Sequence, residues 1–129
     1  MVNPMRRGKR GGFTLIELLV VMAVLALLLS IAIPRYFNSV DRSREAVLKE
    51  NLNVIREAID KFHVDTGRYP GGVEDLVSRK YLRRMPIDPV SERADTWVIV
   101  PAPGGDGGMY DVRSGAEGTA SDGTSYGDW

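Results

Sequence analysis

No cysteine occurs in these 129 residues, so no disulfide can staple the fold, and a domain this small must be held by its core, by helix packing or by a metal. Histidine occurs once, at His63, with no second histidine, cysteine or Ser-x-Gly context to make a zinc site or a nucleophile, so His63 reads as a surface or boundary residue. No glycine-rich phosphate loop follows a strand pattern, and no pair of acidic residues suggests general acid–base work; the expectation is a protein that is not an enzyme. Excess positive charge is missing as well. The 17 basic residues balance 17 acidic ones, so the chain lacks the net positive charge of a general nucleic-acid binder.

Charge is also nearly absent over residues 13–33, FTLIELLVVMAVLALLLSIAI, where Glu17 is the only ionisable side chain in 21 residues. At about 1.5 Å per residue such a run spans about 31 Å as a helix, the hydrocarbon thickness of a bilayer. A charge at a bilayer centre costs about 2.5 to 3.5 kcal/mol on insertion scales, so an ionisable residue in a span is a functional suspect. Before the run stand Arg6, Arg7, Lys9 and Arg10, with no acidic residue over positions 1–12. That asymmetry predicts a cytoplasmic N-terminus and a C-terminal part on the far side of the membrane. A secretory signal has an apolar core of about 7 to 15 residues and a small-residue cleavage site after it. Here the core is longer, and the small residues, Gly11 and Gly12, precede it.

The string Gly11-Gly12-Phe13-Thr14-Leu15-Ile16-Glu17-Leu18-Leu19-Val20 resembles the N-terminal signature of type IV pilins and type II secretion pseudopilins. Asp65-Thr66-Gly67-Arg68-Tyr69-Pro70 and the glycine- and aspartate-rich tail are similar to the major pseudopilin of type II secretion, so the likeness covers nearly the whole chain. The resemblance implies that a prepilin peptidase cuts between Gly12 and Phe13 and methylates the new amino group of Phe13. Glycine before the scissile bond suits a tight cleft, having no Cβ. It also implies that Glu17 meets the N-terminal ammonium of a neighbouring subunit and sets the register of assembly. Removing the leader, with four of the basic residues, leaves 13 basic against 17 acidic residues, a charge of about −4. Many type IV pilins close a C-terminal loop with a disulfide; its absence here tilts the likeness toward a pseudopilin.

The implied fold class is α+β and pilin-like. A long N-terminal helix, transmembrane in its first half and kinked near Pro34, packs its second half on a short helix and a small antiparallel sheet with a C-terminal loop. The division runs 1–12 cleaved cytoplasmic leader, 13–33 transmembrane and filament-core helix, 34–66 amphipathic second half, 67–95 short helix and connector, 96–129 sheet and C-terminal loop. The residues themselves carry much of this. Leu48, Leu52, Ile55, Ile59 and Phe62 recur at spacings of four, three, four and three, one buried stripe of a helix. Arg44, Glu45, Lys49, Glu50, Arg56, Glu57, Asp60 and Lys61 are expected on its polar face. Pro34 removes a backbone donor, so a kink or local melting is expected over residues 30–34. Gly67 is the expected stop, in the left-handed conformation.

After a turn cluster at 68–72, Val73 to Val77 reads as a short helix lying over the long one, and Met85-Pro86-Ile87-Asp88-Pro89 as an extended connector. Thr96 to Val100 and Met109 to Val112 are strand candidates, joined by a loop with two prolines and four glycines. The tail from Ser114 to Trp129 is almost free of aliphatic residues. Two readings stand: a floppy end, or an ordered loop whose oxygens suit Ca²⁺ and whose Tyr126 and Trp129 pin it to the domain.

The resemblance implies Ca²⁺ in this loop. Glu117 stands where the family has aspartate, in a stretch one residue shorter, and is the first ligand candidate; Asp122 is the second, or Ser125 counting back from Trp129, with the carbonyl of Val112 completing the shell. The function implied is that of a structural subunit of a periplasmic pseudopilus. It starts in the inner membrane as a single-pass protein, polymerises, and helps export folded proteins. Its implied partners are copies of itself, minor pseudopilins, the prepilin peptidase, the inner-membrane assembly platform and, before assembly, the membrane. Two other readings remain: a type IV pilin of a surface filament, and a membrane-tethered binding domain that never polymerises.

Overall fold

The computed structural model describes residues 2–4, 11–105 and 107–129. The basic patch Arg6, Arg7, Lys9 and Arg10, on which the orientation expectation rests, lies outside the described residues. The chain divides into two compact units, Met1–Phe37 and Asn38–Trp129. Helix α1, Leu15–Thr66, contributes to both.

In the first unit every described residue is exposed, including Leu15, Ile16, Leu19 and Leu27. Leu and Ala, which are good helix formers, make up about half of residues 13–33. The helix is long and apolar enough to cross a membrane, with none of its most apolar stretch buried in the protein. Pro34 lies inside α1 and residues 30–34 are all helical, so the local melting expected there does not occur. Pro34 still withholds the donor that the Ser30 carbonyl would use. The Ser30 hydroxyl turns back to the Ala26 carbonyl at 2.7 Å, satisfying its own polar group within the helix.

The second unit is built on the stripe. Leu48, Leu52, Ile55, Ile59 and Phe62 are all buried, as their spacing predicts, and with Ala58 they form the helical half of the core. Each such side chain contributes about 1.5–3 kcal/mol on full burial. One extra residue lies in register with them. Glu45, three positions before Leu48, is buried too and does not sit on the polar face expected for it. Gly67, at φ +73°, ends α1 in the left-handed conformation, its amide bonded to the His63 carbonyl at 2.8 Å.

Helix α2, Val73–Ser78, adds Val73 and Leu76 to the core. Its start is fastened by Asp75, whose carboxylate accepts the Gly71 amide at 2.8 Å. Strand β1, Val98–Pro101, pairs antiparallel with β2, Met109–Arg113, in the register Val98 to Arg113 and Ile99 to Val112, with an irregularity between Val100 and Pro101. Pro101 has no donor to give a ladder, and this end of a two-stranded sheet tolerates it. Met109 and Val112 are fully buried against α1, whereas β1 is largely exposed. The first strand starts two residues later than Thr96. Trp97 lies just outside the ladder, and its indole donates to the Pro86 carbonyl at 2.9 Å, tying the proline-bounded connector to the start of the sheet. The tail is ordered: Thr119 bridges to Ser125, a 3₁₀ turn covers Tyr126–Asp128, and Tyr126 and Trp129 pack on the core.

Gly115 shows how closely the tail is seated. A Cβ built there would stand 1.9 Å from the Thr96 backbone oxygen, and no side chain rotation relieves that clash. Gly115→Ala is therefore expected to lower stability by about 1–3 kcal/mol, an overpacking cost, read as a fall in the thermal midpoint. A midpoint equal to that of the wild type would show that the 96–115 contact is not formed.

Candidate functional site

The N-terminal end holds the processing and assembly candidates. Gly11, Gly12, Phe13 and Thr14 precede the helix in extended chain, and Phe13 is 91% exposed, so the Gly12–Phe13 bond is open to a protease. Thr14 occupies the N-cap of α1, and Glu17 stands three residues on. The Glu17 amide donates to Thr14 Oγ1 at 3.2 Å, and the Thr14 amide donates to Glu17 Oε2 at a longer 3.4 Å. This reciprocal arrangement is a capping box. It answers two of the orphan donors at the helix end and holds the Glu17 carboxylate over the first turn, where the helix dipole favours negative charge. The signal was legible as Thr-x-x-Glu before an apolar run, but the reading of Glu17 as a residue for a neighbour left its local role unseen.

The second candidate is the tail. Residues 117–126 fold back on themselves: Thr119 pairs with Ser125, Tyr126 donates its amide to the Gly118 carbonyl at 3.3 Å, and Ala120 to the Thr124 carbonyl at 2.7 Å. That pairing sets Asp122 at the closed end and Glu117 beyond the open one. Asp122 is engaged locally, its Oδ1 accepting from the Thr124 amide at 3.0 Å and the Thr124 hydroxyl at 2.6 Å. The Thr124 hydroxyl holds the Asp122 carboxyl below its usual range. Glu117 is exposed and Ser125 is paired by its backbone. The Val112 carbonyl accepts from Arg56 Nη2 at 3.0 Å. The four ligand candidates are thus not gathered into one cradle, and among the described residues no three His, Cys, Asp or Glu side chains converge.

What gathers around the tail instead are side chains that composition placed on the polar face of α1. Glu45 Oε1 accepts from the Ser121 amide at 2.7 Å, Oε2 from the Ser121 hydroxyl at 2.6 Å, and Oε1 again from the Tyr126 hydroxyl at 3.2 Å. The Ser121 hydroxyl lowers the Glu45 carboxyl against the opposing effect of burial. Burial, then the bond to Glu45, raises the Tyr126 phenol. Further along, Arg56 donates to Asp111 Oδ1 at 2.8 Å, to the Val112 carbonyl and to the Trp129 backbone oxygen at 2.9 Å. The Lys49 ammonium lies 4.5 Å from the centre of the Trp129 ring, a cation–π contact. Asp88, fully buried, accepts from the Val90 amide at 2.8 Å and from the Ser114 hydroxyl, joining the connector to the root of the tail. Glu45 had a sequence signal, an acidic residue in phase with an apolar stripe. Asp88 and Arg56 had none, because their partners are remote in sequence. His63 sits at a boundary, its ring stacked on Tyr69 at 4.1 Å.

Residues 7–33 match the family described as the prokaryotic N-terminal methylation motif. Over the whole chain, the type II secretion system core protein G of Pseudomonas aeruginosa is 28% identical across 142 aligned positions, covering 97% of this chain and 99% of that protein. The core protein G of Escherichia coli is 27% identical, covering 92% of each, and that of Xanthomonas campestris is 26% identical, covering 96% of this chain and 90% of its own. No solved structure matches the chain significantly.

The Glu45 latch has a pH signature. A carboxyl held below the ordinary value of 4.5 lends stability that is fully present above that value and is lost as pH falls through its folded pKa. Docking of the tail, followed by hydrogen exchange of the Ser121 amide, is expected to hold from neutral pH down to about 5 and to weaken in more acid solution. Glu45→Gln should flatten that profile; an unchanged acid profile in the variant would assign the loss to another group.

Proposed function

We infer, from a chain that is a major pseudopilin of the type IV pilin-like superfamily by its methylation motif and its end-to-end likeness to core proteins G, that it is a structural subunit of a type II secretion pseudopilus. The observation that carries the reading is the conjunction of that motif with an apolar helical segment whose side chains are all exposed. Such a surface requires lipid or other helices around it. A membrane-anchored protein that later bundles this segment with copies of itself exchanges one apolar environment for another, at no hydrophobic loss. The anchoring follows from the helix; the orientation, with the C-terminal unit in the periplasm, is proposed from the charge of residues 6–10.

The chemistry at the N-terminal end supports a two-stage use of Glu17. In the precursor the carboxylate is held in the capping box by a bond of 3.4 Å from the Thr14 amide, long for such a contact and therefore weak. Cleavage after Gly12 creates an ammonium on Phe13. An ammonium from a neighbouring subunit is a stronger partner for a carboxylate than an amide, because both are charged and water is excluded. Assembly is then coupled to processing. We assign the subunit no catalytic role. Its proposed partners are further copies of itself, minor pseudopilins, the prepilin peptidase and the inner-membrane assembly platform, which together help export folded proteins.

Two measurements test this. Mass spectrometry of the membrane-extracted protein is expected to find Phe13 as the N-terminal residue, bearing one added methyl group; an N-terminus elsewhere rejects the processing assignment. Glu17→Ala is expected to leave the chain inserted in the inner membrane while filaments disappear from micrographs of sheared cells. Normal filaments in that variant would remove Glu17 from assembly.

A further inference from the structure

We propose that the C-terminal loop of this protein is closed by Glu45 and Arg56 of α1, and that its docking is independent of calcium. The calcium expected from family likeness would need six to eight oxygens converging at 2.3–2.6 Å. The fold disperses the candidates. Asp122 and Glu117 stand at opposite ends of the folded-back segment, and the Asp122 oxygen is already bonded to Thr124. The Val112 carbonyl faces the Arg56 guanidinium at 3.0 Å, a fixed cation that repels a second one.

The mechanical work of a metal is done by two charged side chains on one helix. A metal in such a loop would gather oxygens from distant points of the chain and hold the tail against the domain. Glu45 is 8% exposed and receives three donors from the tail, two from Ser121 and one from Tyr126. Hydrogen bonds to a charged group are shorter and stronger than neutral ones. Eleven residues along α1, about 16 Å at 1.5 Å per residue, Arg56 binds the Trp129 oxygen and, through Val112 and Asp111, the strand that leads into the tail. An anion meets the middle of the loop and a cation meets its end. Both anchors are set by the register of one rigid helix, so the loop is positioned along its length without an added ion.

The test uses the whole chain in detergent micelles, with Ca²⁺ itself as the probe. Ligand linkage raises the midpoint of any protein that binds the ion in its folded state. The thermal midpoint and the rate of proteolysis within residues 114–129 are expected to be the same in EDTA and in millimolar Ca²⁺. Glu45→Ala is expected to speed that proteolysis about tenfold or more, through loss of charged hydrogen bonds, and Ca²⁺ should not restore protection. Ser121→Ala, which removes one donor and no charge, should give a smaller increase; it carries the variant arm if Glu45→Ala does not fold. Protection that EDTA abolishes, a midpoint that rises with Ca²⁺, or a tail equally resistant in the folded variants overturns the proposal.

Discussion

Two strands of four and five residues cannot stay paired in water on their own, because they bury too little apolar surface to offset the ordering of the chain. Their backing is the stripe on α1 from Leu48 to Phe62. Met109 and Val112 of β2 pack on it directly, Val73 and Leu76 of α2 beside them, and Tyr126 and Trp129 close its edge. Without cysteine the second unit has no covalent staple, so the phase of this one stripe decides where every later element lies. A one-residue slip would turn the whole apolar set away from the sheet.

Around that stripe the protein places carboxylates where water is scarce, and each is answered by donors. Glu45 takes two bonds from Ser121 and one from Tyr126, and Asp88 takes the Val90 amide and the Ser114 hydroxyl. A buried carboxylate without such donors would be strongly unfavourable. With them it becomes a directional fastening, since only the native path of the tail brings the donors to it. At the other end of α1, Glu17 follows the same rule on a smaller scale, answering the orphan amides of the first turn.

The two units of the chain present opposite chemistry. One is an apolar segment whose described residues are all exposed; the other is a domain with a buried core of its own. The first is long and apolar enough to cross a membrane. The fastening of the tail belongs to the domain alone.

Apolar periodicity was enough to determine the helix and its buried stripe, glycine at position 67 its stop, and β-branched and aromatic residues the two strands to within a few residues. These depend on contacts between near neighbours or on a repeated apolar face, which the order of residues displays. The roles of Arg56, Asp88 and Ser114 depend on contacts between residues 26 to 73 positions apart, and no local pattern encodes such a pairing. Glu45 lies between these cases: its phase with the stripe was visible, but its partners, 76 and 81 positions away, were not. The oxygen-rich tail reads equally as a metal loop or a loose end in one dimension. Only the tertiary structure decided that its donors turn toward a helix, because a hydrogen bond is made by direction and distance, and composition carries neither.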